Sequence, residues 1–126
     1  MTKILLIGLG GGVGAIARYF LSAYVQQATP ASFPLGTLVV NVLGCFSIGL
    51  LSYLADARGL FTPELRVLTF TGFLGGFTTF STFGNETLAL VRDGERNDAF
   101  VNVGLHILLG LGAVWAGRGL AALIWK

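Results

Sequence analysis

Hydrophobic residues dominate four long stretches of the chain, and polar residues are concentrated in the short connections between them. The stretches cover about residues 4–25, 35–55, 65–91 and 99–124. A helix needs about 20 apolar residues to cross a bilayer, so each stretch is long enough to span one. We therefore predict a single all-α transmembrane domain over residues 1–126, with four membrane-spanning helices per subunit. The N-terminal stretch is expected to be the first span rather than a cleaved signal, since its removal would leave an odd number.

The composition agrees with a membrane protein. Charged residues make up 11% of the chain and the mean hydropathy is +0.79, whereas soluble domains carry about 25% charged residues. The basic residues are scattered, so nothing indicates binding to nucleic acid. Cys45 is the single cysteine, which makes an internal disulfide impossible. With so little chain outside the membrane, the function is expected to reside within the bilayer.

The third stretch is longer than a simple span requires. As one continuous helix, residues 65–91 would rise about 1.5 Å each and exceed the ~30 Å hydrocarbon thickness. Gly75 and Gly76 weaken the helix near its middle, and the hydroxyls of Thr78 and Thr79 can compete for backbone hydrogen bonds. Non-helical backbone at membrane depth occurs only where it is buried in protein or lines a wet cavity. We therefore predict a broken third helix with a functional site at the break.

The residues after the break place two kinds of chemistry on one helix. At 100° per residue, Thr79, Thr82 and Glu86 fall on a single stripe, and Phe80 and Phe83 lie on the adjoining face. The polar stripe can line a pathway or can simply hydrogen-bond to a neighbouring helix. The phenylalanines can pack, or can present the positive edges of their rings to an anion.

Two residues in other spans add hydrogen-bond donors. Asn41 places a side-chain amide inside the second span. Arg18 ends the apolar part of the first span, where it can either extend to the interface or serve a site. Donors and positive charge in combination favour an anion over a cation.

Enzyme motifs are lacking. Gly10, Gly12 and Ala15 have the spacing of a dinucleotide-binding turn, but the strand, helix and following acid that this motif needs are missing. His106 is the only histidine, and with Asn102 it is predicted to form a helix-to-helix hydrogen-bonding contact rather than a proton relay. No phosphate-binding loop or nucleophile-base pair is present, so we predict that the protein is not an enzyme.

The charges flanking the spans set the topology only weakly. An even number of spans places both termini on one side of the membrane. The flanking basic residues on that side are Lys3, Arg58, Arg66 and Lys126, against Arg92 and Arg96 on the other. So small a bias makes insertion in both orientations plausible. Four spans are too few to enclose a polar pathway, so we expect the protein to associate. If both orientations are inserted, two copies can pair to form an inverted repeat between subunits.

Three segments resemble the small bacterial fluoride channels, the Fluc or CrcB family: GGVGAIARY (11–19), GTLVVNVLG (36–44) and TGFLGGFTTFSTFGNE (71–86). The resemblance covers essentially the whole chain. It implies an antiparallel, dual-topology homodimer in the inner membrane that exports toxic fluoride passively. It also implies a structural sodium ion at the dimer centre.

The resemblance also implies roles for particular residues. Phe80 and Phe83 match rings whose edges contact fluoride, and Asn41 matches the pore asparagine. The polar track corresponds to Thr79, Ser81, Thr82 and Glu86, and the vestibule arginine to Arg18. The backbone carbonyls of Gly75 and Thr78 match the sodium ligands. Gly110 departs from the pattern, because a pore-facing serine is expected there in some members.

Two other functions remain open at this point. A proton-coupled exporter of the small multidrug resistance type is also short, four-spanning and dual-topology, but it needs a carboxylate in the first span, and the first acid here is Asp56. A membrane assembly subunit without transport activity would leave the Thr-Phe segment and Asn41 without a purpose.

Overall fold

The computed structural model describes residues 1–29 and 32–125, and every regular element in these ranges is helical. In chain order the elements are α1 (Thr2–Ala28), α2 (Leu35–Ala57), α3 (Pro63–Arg66), the π-helical segment π1 (Val67–Leu74), α4 (Gly75–Phe77), α5 (Phe80–Arg92) and α6 (Arg96–Ile124). Lys126, which entered the comparison of flanking charges, lies outside the described residues.

Three helices in the described part of the chain, α1, α2 and α6, are long and apolar enough to cross a membrane. They match the predicted spans 4–25, 35–55 and 99–124 and extend a few residues beyond them. The fourth predicted span, 65–91, corresponds to the succession of α3, π1, α4 and α5.

The outer surface of these helices is apolar. On α1 the side chains of Ile4, Leu5 and Leu9 are 71%, 64% and 67% exposed. A soluble monomer rarely exposes large contiguous apolar patches, whereas lipid tails solvate such side chains well. Together with the lengths of the helices, this surface identifies a multi-pass membrane protein.

Glycines allow α1 to pack very closely against π1 and α4. A Cβ atom at Gly14 would overlap the carbonyl oxygen of Phe73, and one at Gly76 would overlap that of Gly11. Gly10 lies equally close to the backbone of π1. The helices therefore pack backbone to backbone, as small residues permit in membranes.

The helices α2 and α6 form a second tight pair. A Cβ atom at Gly49 would overlap the carbonyl oxygen of Val114, and one at Gly117 would overlap that of Phe46. The two glycine-mediated pairs are α1 with π1 and α4, and α2 with α6, whereas α5 contacts α2 and α6 and carries several polar residues. That helix follows directly on the only interruption within the segment 63–92 of the described chain.

The interruption lies at Thr78 and Thr79 rather than at the expected Gly75 and Gly76. Gly75 is helical, with φ −63° and ψ −35°, whereas Thr78 (φ −85°, ψ 158°) and Thr79 (φ −152°, ψ 109°) are extended. Gly76 is needed for the close approach of α4 to α1 at Gly11, which a helical backbone provides. Packing against α1 therefore decides which residues stay helical.

Candidate functional site

Asn41 holds the extended backbone of Thr79 through both ends of its side-chain amide. Its Nδ2 donates to the Thr79 carbonyl oxygen at 3.1 Å, and its Oδ1 accepts from the Thr79 N–H at 2.8 Å. This pairing satisfies two backbone groups that would otherwise be unpaired inside the protein. α2 therefore stabilises the interruption across 38 residues of sequence.

The interruption releases the carbonyl groups of Gly75 and Thr78. In a continuous helix these would accept from the N–H groups of Thr79 and Thr82. Here the Thr79 N–H donates to Asn41, and the Thr82 N–H donates to the hydroxyl of Thr79 at 3.2 Å. Carbonyl oxygens at a helix C-terminus carry partial negative charge, so the pair is suited to a cation.

A cation already lies near one of the two oxygens. Arg18 Nη1 is 3.5 Å from the carbonyl oxygen of Thr78. The Thr78 N–H and hydroxyl do not compete for this position, because both donate to the carbonyl of Leu74 at 3.0 Å.

Hydroxyl groups cluster at the N-terminus of α5. Thr79 caps the helix through Oγ1, which donates in turn to Thr82 Oγ1 at 2.9 Å and lies 3.4 Å from Ser81 Oγ. A helix N-terminus carries partial positive charge and attracts anions. The cap thus gathers hydroxyls and a positive dipole end at the interruption.

One cavity adjoins the interruption on the side where Arg18 lies. This Arg18 cavity has a volume of about 240 Å³ and is lined by Ala15, Arg18, Tyr19, Ser22, Thr37, Val40, Thr79 and Thr82. Arg18 is only half-buried, so its charge faces the opening without a carboxylate partner among the ion pairs of the described residues. The cavity joins positive charge to a row of hydroxyls.

Glu86 lies one helical turn beyond Thr82 and accepts a hydrogen bond from a residue of α2. Thr37 Oγ1 donates to Glu86 Oε1 at 2.7 Å, and Glu86 Oε2 is buried without a hydrogen-bond partner in the described structure. Thr37 was not predicted as a site residue. It could have been recognised from its position four residues before Asn41, which places both side chains on one face of a helix.

A larger cavity opens on the other side. This phenyl cavity has a volume of about 620 Å³ and is lined by Asn41, Gly44, Cys45, Ile48, Thr78, Thr79, Phe80, Phe83, Gly84, Thr87, Val103, His106 and Ile107. Phe80 is 82% exposed and Phe83 9% exposed, with ring centroids 5.4 Å apart and planes inclined by 57°. Thr79 lines both cavities, so the two meet at the interrupted backbone.

α6 closes the phenyl cavity with a histidine. The ring centroid of His106 is 4.2 Å from that of Phe83. Asn102 Nδ2 donates to Thr87 Oγ1 at 2.9 Å, which is the helix-to-helix contact expected of this polar pair. At Gly110 a Cβ atom would lie 3.6 Å from Cys45 Sγ, so the thiol occupies the space beside the missing side chain.

The structure brings most of the predicted site residues together around Thr79. Asn41, Phe80 and Phe83 share the phenyl cavity, and Arg18 and Thr82 share the Arg18 cavity. Thr78 also lines the phenyl cavity. The other predicted residues lie apart from both cavities: Ser81 is exposed, Glu86 accepts a hydrogen bond from Thr37, and Gly75 is exposed at the start of α4.

The sequence matches a family model described as CrcB-like protein, Camphor Resistance (CrcB), over residues 5–118. Among similar proteins, the fluoride-specific ion channel FluC of Nitratidesulfovibrio vulgaris (strain Miyazaki F) is 47% identical over 124 residues, covering 98% of this chain and 100% of that protein. A second protein of that name, from Solibacter usitatus, is 49% identical over 119 residues, 94% of this chain and 98% of the relative. A third, from Shewanella sp. (strain W3-18-1), is 46% identical over 120 residues, 95% and 96% of the two chains. On this likeness the chain belongs to the CrcB family.

Proposed function

We propose that the protein is a fluoride-selective ion channel, not an enzyme, through which fluoride leaves the cell passively across the inner membrane. The observation that carries this proposal is the meeting of two cavities at Thr79, one bearing Arg18 and hydroxyls, the other bearing phenyl rings. The names of the similar proteins support the choice of anion.

Donor groups follow one another along the proposed route. Fluoride is small and strongly hydrated, so it crosses only where other groups replace its water. Arg18 attracts the anion into the first cavity, and the hydroxyl of Thr82 is the next donor. Thr79 Oγ1 already donates to Thr82, which leaves the Thr82 hydroxyl hydrogen free to point into the cavity.

Asn41 and the two phenyl rings serve the second half of the route. One hydrogen of Asn41 Nδ2 is used by the Thr79 carbonyl, and the amide has a second hydrogen to offer. Phe80 and Phe83 are inclined by 57°, so that the face of one ring and the edge of the other can border the same space. Ring edges are positive and too weakly polar to hold the ion tightly.

Residues 63–92 form the third membrane-spanning helix, which is broken at Thr78 and Thr79. The part before the break has a structural role. The released carbonyls of Gly75 and Thr78 fit a hard cation, since unwound helices coordinate Na⁺ with such groups in other transport proteins. Two carbonyls from each of two subunits would hold one sodium ion at the dimer centre. Arg18, 3.5 Å from the Thr78 oxygen, would turn outward toward the first cavity.

The dimer is antiparallel, with the two copies inserted in opposite orientations. Small and polar residues that are exposed on the surface of a single protomer support this arrangement. Gly75 and Thr71 are exposed, and a Cβ atom at Gly8 or Gly12 would meet no atom within 4 Å. Such positions allow a second copy to approach closely.

Anion efflux from liposomes containing the purified protein tests the function. We expect rapid fluoride release without chloride release, and no dependence on a proton gradient. Flux that requires a proton gradient would favour the multidrug-type exporter instead. Against that alternative, Asp56 is exposed and ion-paired with Arg66 at the end of α2, and α1 carries no acid.

The sodium ion and the dimer need their own tests. Replacing sodium throughout with a larger monovalent cation is expected to weaken assembly and flux together, and indifference of both would refute the ion. Tagging each terminus and measuring accessibility from both sides of the membrane tests the dual orientation, which predicts that each tag is half protected.

A further inference from the structure

A chain of hydrogen bonds between α5 and α6 fixes the orientation of Asn102. The Thr87 hydroxyl donates to the Phe83 carbonyl oxygen at 2.7 Å, so its single hydrogen is used. Thr87 Oγ1 can therefore only accept from Asn102, which makes the group 2.9 Å away the Nδ2 amide end. The other end, Oδ1, is buried and has no hydrogen-bond partner in the described part of the chain.

The same logic fixes the proton on His106. Its Nδ1 lies 3.0 Å from the backbone carbonyl oxygen of Asn102. A carbonyl oxygen only accepts, so Nδ1 must carry the hydrogen, and in the neutral ring Nε2 then has a lone pair and no hydrogen. That Nε2 atom is buried and unpaired within residues 1–29 and 32–125.

His106 is also a wall residue of the phenyl cavity. It lines the cavity beside Phe83, and the two rings lie 4.2 Å apart. An acceptor next to the rings that border the route cannot bind an anion directly, because two lone-pair-bearing partners repel. It requires a ligand that donates.

We propose that His106 Nε2 binds a water molecule in the wall of the phenyl cavity. The water donates one hydrogen to Nε2 and turns the other toward the cavity, where it can reach fluoride beside Phe83. The water site rests on the unpaired Nε2 and on the cavity that His106 lines, whereas the contact with fluoride rests on the proposed function. The imidazole thus presents a donor to the anion while staying neutral.

The cavity has the properties that a bound water needs. A water occupies about 30 Å³ in the liquid and makes two to four hydrogen bonds when buried. The cavity that His106 lines has a volume of about 620 Å³, and because Nε2 is buried, a small rotation of the ring brings this atom into contact with a water there. Asn41, Thr78 and Thr87 line the same space, so further polar partners are at hand. Of the residues that line it, Cys45 and His106 are the titratable ones, so no carboxylate competes for the water.

Nitrogen NMR of the protein in liposomes tests the water site, because His106 is the only histidine and a ¹⁵N-histidine label reports on it alone. We expect a protonated Nδ1, an unprotonated Nε2, and magnetisation transfer from water to the ring at Nε2. Added fluoride should shift the Nε2 resonance, and added chloride should not. A protonated Nε2, or a ring without water contact, would overturn the water site.

A pair of substitutions separates the water from the stacking of the rings. His106→Phe keeps an aromatic ring against Phe83 and removes the nitrogen, and His106→Gln restores a polar acceptor on a flexible chain. We expect fluoride efflux to fall several-fold in the phenylalanine variant and to recover partly in the glutamine variant, with unchanged dimer content. Wild-type efflux from His106→Phe would refute the role in permeation. If the wild-type protein itself released no fluoride, the proposed function would fail, and the NMR result would still decide the water site.

Discussion

The two halves of the interrupted segment, residues 63–77 and residues 80–92, are held in place by different kinds of contact. Residues 63–77 pack against α1 through glycines, with backbone touching backbone at Gly14 and Gly76. Residues 80–92 are held by side-chain hydrogen bonds from α2 and α6, and they expose Phe80 almost fully. The first half is therefore a scaffold that fixes the position of the interruption, and the second half carries the groups proposed to meet the ion.

The largest effect is expected from crowding the scaffold. Gly14→Ala places a methyl group on the carbonyl oxygen of Phe73, which should cost about 1–3 kcal/mol or more of folding free energy and sharply reduce the yield of folded dimer. Gly119→Ala on α6 is the matched control, since nothing lies within 4 Å of its Cβ position. Size-exclusion profiles and melting temperatures measure both. Equal loss in the two variants would show that helix content, rather than the contact with π1, was disturbed.

The next effect is expected at the junction of the halves. Asn41→Leu has similar volume but leaves the N–H and carbonyl of Thr79 unpaired, at about 1–3 kcal/mol for each buried group. We expect lower thermal stability together with loss of fluoride efflux. Asn85→Leu, at an exposed position of α5, should change neither. An Asn41→Leu variant with normal stability would mean that the interruption does not depend on α2.

A substitution in the second half should separate function from stability. Phe80→Ile removes a ring that is 82% exposed, so the fold and the dimer should survive. Losing the ring edge is expected to lower fluoride efflux about tenfold or more, which corresponds to about 1.4 kcal/mol. Phe100→Ile on α6, where the ring is 77% exposed outside the phenyl cavity, is the control. Unchanged efflux from Phe80→Ile would remove the ring-edge argument.

The smallest effect is expected at Thr37. Thr37→Val keeps the shape and removes the donor to Glu86 at 2.7 Å, a hydrogen bond with a net contribution of about 0.5–1.5 kcal/mol, or more if the carboxyl group is charged. We expect a fall of a few-fold in fluoride efflux and a small drop in melting temperature. Thr2→Val, at an exposed position at the start of α1, should behave like the wild type. A larger loss than in Phe80→Ile would place the narrowest part of the route at Glu86.

Hydrophobic pattern alone predicted α1, α2 and α6, because each is a long apolar run whose ends are marked by polar residues. The third span was harder. Glycine content pointed to Gly75 and Gly76, but both stay helical, and the lack of a side chain at Gly76 serves the contact with Gly11. The residues that leave the helix, Thr78 and Thr79, do so with the help of Asn41, and a contact over 38 positions leaves no local trace in sequence.

Some residues of the candidate site, too, could be predicted from the sequence, and others could not. Phe80 and Phe83 were predicted from helical spacing, and the structure places both on one cavity. The stripe of Thr79, Thr82 and Glu86 was only partly realised, because Thr79 is the cap before α5 rather than a residue of the helix. Thr37 and Thr87 were missed, since single threonines in apolar helices are common and only their partners reveal a role.

The central claim, that the phenyl cavity is the route of fluoride, can be tested on the unaltered protein through Cys45. This single cysteine lines the cavity beside Phe80 and Phe83. Fluoride efflux is measured from liposomes before and after complete modification of the thiol by a bulky thiol-specific reagent, with Cys45→Ala as the insensitive control. The account predicts that modification stops efflux in the wild type and leaves the alanine variant unaffected. Undiminished fluoride efflux from fully modified wild-type protein would contradict it.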